Sequence, residues 1–77
     1  MRIYLKAFIM NLAKNYDEIR KSTFIPGRLN KIEKEMKEGS LDADGVMTKL
    51  RDEEKFRKAF TDGDWKMIQR EVEKMIK

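Results

Sequence analysis

The chain has 77 residues, of which 42% are charged and 40% hydrophobic, with a formal net charge of +4 and neither cysteine nor histidine. A chain this short forms one domain at most, so we expect residues 1–77 to be a single helical domain with a small core. The missing cysteine excludes disulfides and thiolate zinc sites, and the missing histidine removes the usual metal ligand and general base. We therefore expect no metal, no cofactor and no enzymatic activity.

The first predicted element is a helix over about 3–21. At about 100° per residue, its apolar stripe consists of Leu5, Phe8, Ile9, Leu12, Tyr16 and Ile19. "STFIPG" interrupts this pattern, and Pro26 suits the first turn of a second helix over about 26–38. The stripe of that helix is Ile25, Leu29, Ile32 and Met36, and Gly39 is well placed to end it.

The third predicted segment covers about 44–60. One side of it carries Val46, Leu50, Phe56 and Phe60, but Glu53 falls in the middle of that side. Either one bent helix spans the segment or two short helices meet near 51–52, and we favour a bend or break near Asp52.

"TDGDW" separates this segment from a last helix over about 64–76. Gly63 is suited to end the preceding helix, and Thr61 with Asp64 has the spacing of a capping box. The last stripe is Trp65, Ile68, Val72, Met75 and Ile76. "AFTDGDWKMI" resembles the turn between the two helices of tetratricopeptide-type hairpins, and this resemblance implies an αα-hairpin.

Together these elements predict an all-α fold, a small helical bundle of three to four helices. The N-terminal apolar run over 3–13 is broken by Lys6 and Asn11 and is shorter than the roughly 20 residues that span a bilayer. We therefore expect no membrane association and no export, and a cytoplasmic location.

The acidic residues occur in three clusters about ten residues apart: Asp42/Asp44, Asp52/Glu53/Glu54 and Asp62/Asp64. "LDADGVM" has part of the pattern of a calcium loop, but Arg51 stands where the closing glutamate is required. Each cluster lies where a helix is predicted to begin, so we interpret these carboxylates as helix caps.

Apolar side chains outside the main stripes are the most informative feature of the sequence. They are Ile3, Tyr4, Ala7 and Met10 in the first helix, with Met47 and Met67 in later ones. One explanation is that the first helix is central and packs against neighbours on two sides. The other is that these residues contact another chain, either a partner protein or a second copy in a homodimer.

The N-terminal half is also basic, with seven basic and two acidic residues in 1–31. Arg20, Lys21, Arg28 and Lys31 form a candidate nucleic-acid site in which Phe24 stacks on bases. Our preferred hypothesis is a small non-enzymatic regulator or inhibitor that docks on a partner protein, of the kind encoded by phages and mobile elements. A small nucleic-acid-binding protein is the alternative.

Overall fold

The computed structural model describes residues 2–76 and confirms the all-α fold. Within this range there are six helices and no strands: α1 (Leu5–Leu12), α2 (Asp17–Arg20), α3 (Ile25–Lys37), α4 (Ala43–Arg51), α5 (Glu54–Ala59) and α6 (Asp62–Ile76). None of these helices is long and apolar enough to cross a membrane.

The continuous first helix expected over 3–21 is wrong. Ile3 and Tyr4 precede α1, and the chain turns between α1 and α2 through short-range bonds such as Tyr16 N–H to the Ala13 carbonyl (2.9 Å). Tyr16 is extended (φ −105°, ψ 97°), and its ring meets Phe60 edge to face at 6.0 Å. The helix therefore breaks at Tyr16, where the backbone is extended and the ring contacts Phe60 in the C-terminal half of the chain.

The second predicted helix is confirmed as α3, which begins one residue before Pro26. Gly39 ends it in the left-handed conformation (φ 77°). The Gly39 N–H donates to the Met36 carbonyl (3.1 Å) and the Ser40 N–H to the Glu35 carbonyl (2.9 Å). These are the two bonds of a Schellman motif, which satisfies carbonyls that the helix itself leaves free.

The predicted break near Asp52 is confirmed, because α4 ends at Arg51 and α5 begins at Glu54. The last helix begins at Asp62, so the expectation that Gly63 ends the preceding helix is wrong and Gly63 lies in the first turn of α6. The capping box is confirmed: Asp64 N–H donates to Thr61 Oγ1 (3.1 Å), and Thr61 N–H donates to Asp64 Oδ2 (3.0 Å).

All six helices contribute to one core. Its buried apolar residues are Leu5, Ile9, Ala13, Ile19, Ile25, Leu29, Ile32, Met36, Val46, Met47, Leu50, Phe56, Phe60, Ile68, Val72 and Met75. Trp65 lies at the edge of this core, where its ring meets Phe60 edge-on and the Arg51 guanidinium lies 5.4 Å from its centre. The helical stripes therefore identified most of the core correctly.

Candidate functional site

The outward side of α1 is uncharged, and Asn11 is its one exposed polar residue. At about 100° per residue, Ala7 and Met10 lie roughly opposite Leu5 and Ile9, which are fully buried. Ala7 is exposed and Met10 half-buried, and no charged residue occurs between Ala7 and Ala13. This helix thus presents apolar side chains where a surface helix usually carries charged ones.

α6 packs beside α1. The Tyr4 hydroxyl donates to Glu71 Oε1 (3.1 Å), which ties the residue before α1 to the C-terminal half of α6. At the other end Tyr16 meets Phe60, next to the start of α6, so the two helices run in opposite directions. Met67 lies one turn before Glu71 in α6 and is 47% exposed.

The Tyr4–Glu71 hydrogen bond shifts the pKa of both groups. The hydrogen bonds from Lys74 (3.2 Å) and then from Tyr4 lower the pKa of the Glu71 carboxyl below its ordinary value of 4.5. Partial burial and the bond to Glu71 raise the pKa of the Tyr4 hydroxyl above 10.0. The contact is therefore strongest at neutral pH, where Glu71 is ionised and Tyr4 is protonated.

The expectation that α1 packs against neighbours on two sides is confirmed, and its contact with another chain stays a prediction. The helix contacts α3 and α6 on its flanks, and the Lys6 N–H also donates to Glu33 Oε2 on α3 (3.1 Å). Ile3 and Met10 are half-buried against the core, but neither is enclosed. We call the set Ile3, Tyr4, Ala7, Met10 and Met67 the α1–α6 surface.

The sixth residue expected at this surface, Met47, is not there. It is 5% exposed and belongs to the core, and its helix α4 packs extensively against α6. The prediction placed Met47 at the edge of the α4 stripe, but the neighbouring helix covers that edge. Met47 is therefore corrected from a docking residue to a core residue.

The predicted basic cluster is exposed but partly neutralised. Arg20 Nη2 lies 2.8 Å from Asp17 Oδ1, and the Arg28 guanidinium lies 3.6 Å from Asp52 Oδ2 and 3.8 Å from Glu53 Oε1. Neither of the other two predicted cations, Lys21 and Lys31, has a carboxylate within 4 Å among residues 2–76. Two of the four cations thus have close carboxylates, three in all, which weakens the attraction to phosphates.

Phe24 is the most exposed large apolar side chain of the described residues, at 79%. The sequence predicts only a stacking role for it, beside the basic cluster. Its exposure can be predicted from the sequence, because Phe24 lies one residue before the apolar stripe that starts at Ile25 and therefore about 100° away from that stripe.

The acidic clusters are confirmed as helix-starting residues. Asp42 Oδ1 accepts from the Gly45 N–H (2.7 Å) at the start of α4, and Glu53 Oε2 accepts from the Lys55 N–H (3.3 Å) at the start of α5. No group of three or more carboxylates within residues 2–76 is arranged to hold a metal ion. No family model, no curated protein and no solved structure matches the chain.

Proposed function

We propose that this chain is a small non-enzymatic regulatory or inhibitory protein that docks on a partner protein through the α1–α6 surface. The observation that carries the proposal is the outward side of α1, where exposed Ala7 lies beside half-buried Met10 with no charged residue between Ala7 and Ala13. A monomer gains nothing from holding apolar side chains in water there. A partner that covers them gains about 25 cal/mol for each Å² removed from water.

The residue types of this surface suit a protein partner. Ala7 allows a close approach of the backbones, and Met10 and Met67 have flexible, polarizable side chains that adapt to irregular apolar surfaces. Arg2 and Lys14 flank α1 and are both exposed, so they can steer a partner with acidic groups toward it.

The narrower parts of the proposal depend on composition. A regulatory or inhibitory role fits a chain without histidine or cysteine, and a small Lys-, Ile- and Met-rich helical protein is what we expect of phages and mobile elements. We place the protein in the cytoplasm because a chain without cysteine is compatible with a reducing compartment.

Nucleic-acid binding is the weaker candidate. Exposed Phe24, which lies between Lys21 and Lys31 in the sequence, favours it, because an aromatic ring can stack on a base while nearby cations hold the phosphate. The carboxylates near Arg20 and Arg28 count against it, because they repel the phosphates that supply most of such affinity.

Photo-crosslinking tests the proposal. The photoreactive residue p-benzoylphenylalanine replaces Ala7 in one variant and Asn30, an exposed residue of α3, in a matched control. Each variant is expressed in cells of the organism that encodes the protein, and the cells are irradiated. The variant with the photoreactive residue at position 7 should form an adduct with a protein that the variant at position 30 does not form. The same adducts at both positions, or nucleic acid as the product at position 7, would overturn the proposal.

A further inference from the structure

Phe24 is presented to solvent on an anchored backbone. Ser22 Oγ accepts from the N–H groups of Phe24 (3.2 Å) and Ile25 (3.3 Å), and the Ile25 side chain is 1% exposed in the core. The segment that carries the ring is thus already ordered. Burying this ring in a complex therefore requires little additional ordering of the backbone.

An open groove of about 410 Å³ lies between α2 and α5. Half-buried Tyr16 and Ala59 supply its accessible apolar lining, whereas Ile19, which also borders it, is 0% exposed. A cavity of about 150 Å³ is enough to hold benzene, so a phenyl ring fits in this groove with room to spare.

The charges around the ring and the groove are complementary. Lys21 and Lys31 flank Phe24 in sequence, whereas α2 lines one wall of the groove with Glu18 and with Asp17, which is paired with Arg20 at 2.8 Å. Glu18 has no basic group within 4 Å among residues 2–76, so it is available to a cation of another chain.

The opposite wall of the groove, from α5, carries Lys55 and Lys58, and the Lys58 ammonium lies 3.1 Å from Glu54 Oε1. A docking segment with cations beside its aromatic ring is therefore favoured on the α2 wall and disfavoured on the α5 wall. Phe24 with its two lysines has this composition.

We propose that two copies of the chain associate by inserting the Phe24 ring of each into the α2–α5 groove of the other. Each copy carries both the ring and the groove, so a two-fold axis makes the contact twice. Two docked rings and their grooves bury on the order of 600 Å², which is below the range of stable interfaces. The dimer is accordingly weak, with a Kd between about 10 µM and 1 mM.

Sedimentation equilibrium of the full chain from 10 µM to 2 mM in 0.15 M salt tests this contact. The wild type should fit a monomer–dimer equilibrium, and Phe24→Ala should raise the dimer Kd at least about tenfold, because the ring is the central anchor. The matched control Met67→Ala removes the other large exposed apolar side chain and should change Kd less than about threefold. A wild type that stays monomeric at 2 mM, or a dimer that Met67→Ala weakens and Phe24→Ala does not, would overturn the proposal.

A charge exchange gives a second test that does not depend on the ring. Glu18→Lys alone and Lys21→Glu alone should each weaken the dimer about threefold or more, and the double variant should restore it, since the opposite charges then meet again across the interface. Both residues are exposed, so the variants should fold as the wild type does. A double variant as weak as the two single ones combined would contradict the pairing. This contact is independent of the α1–α6 surface, so its failure leaves the proposed function standing.

Discussion

Met47 and Met67 offer a direct comparison of the two environments in which this chain places methionine. Met47 is 5% exposed in α4 and Met67 is 47% exposed in α6. Met→Ala in a core costs about 2–5 kcal/mol, from lost burial and the cavity left behind. A chain of 77 residues has a free energy of unfolding of about 4–12 kcal/mol, so Met47→Ala removes a large share of the total.

Thermal and urea unfolding followed by circular dichroism at 222 nm measures this difference. At about 4–8 °C per kcal/mol, a loss of about 3 kcal/mol for Met47→Ala lowers Tm by roughly 12–24 °C. Met67→Ala, the same substitution in another helix, should cost less than about 1 kcal/mol, because the deleted atoms are already partly in water. Similar Tm values for the two variants would refute the assignment of Met47 to the core.

Three further substitutions test the helix ends and the Tyr4 contact. Thr61→Ala removes one bond of the capping box with Asp64 and should cost about 1 kcal/mol in urea unfolding, whereas Thr61→Ser should retain most of it; equal losses would contradict the box. Gly39→Ala should cost about 1–2 kcal/mol because Gly39 has φ 77°; a Cβ there would meet no neighbour, so the cost is backbone strain alone. Gly27→Ala, where φ is not positive, should cost nothing or stabilise α3. The reverse order of stability would contradict the Schellman motif at the end of α3. Because the pKa of Glu71 is lowered in the folded state, its ionised carboxylate stabilises the fold above the ordinary pKa of 4.5, and this stability is lost as the pH falls through the lower folded-state pKa. The Tm of Glu71→Gln should therefore fall less than the wild-type Tm over that acid range. Parallel curves of Tm against pH for the two proteins would contradict the Tyr4–Glu71 contact.

The sequence predicted those features of the fold that depend on residues close in the chain. Pro26 and Gly39 bound α3 because a proline fits a first turn and a glycine accepts the left-handed conformation at a helix end. The reciprocal bonds of Thr61 and Asp64 follow from a spacing of three residues. These local rules need no knowledge of the neighbouring helices, and for that reason they were reliable.

The break between α1 and α2 shows where periodicity misleads. Tyr16 and Ile19 continue the apolar stripe in phase, which favoured one helix, although the chain turns just before them. Asp17 and Glu18 supplied a local signal, since acidic residues favour the first turn of a new helix. The aromatic contact of Tyr16 with Phe60 joins residues far apart in the chain, so the stripe alone did not reveal it.

The same limit applies to the candidate site. Helical spacing placed Met47 and Met67 alike at the edges of their stripes, but only the packing of α4 on α6 decides that the first is covered. Phe24 lies off the α3 stripe, so its exposure could be predicted from the sequence. Its meaning required the groove between α2 and α5, which two segments form only after folding.

The most direct test of the docking surface is the affinity of the purified partner, once crosslinking has identified it, for Ala7→Glu and for the matched control Asn30→Glu. Both substitutions add one carboxylate at an exposed helical position, and each should change the free energy of unfolding by less than about 0.5 kcal/mol. By isothermal titration calorimetry, Ala7→Glu should weaken binding at least about thirtyfold, because it buries an unpaired charge in the interface, and Asn30→Glu should have little effect. Equal affinities of the two variants would contradict docking through the α1–α6 surface.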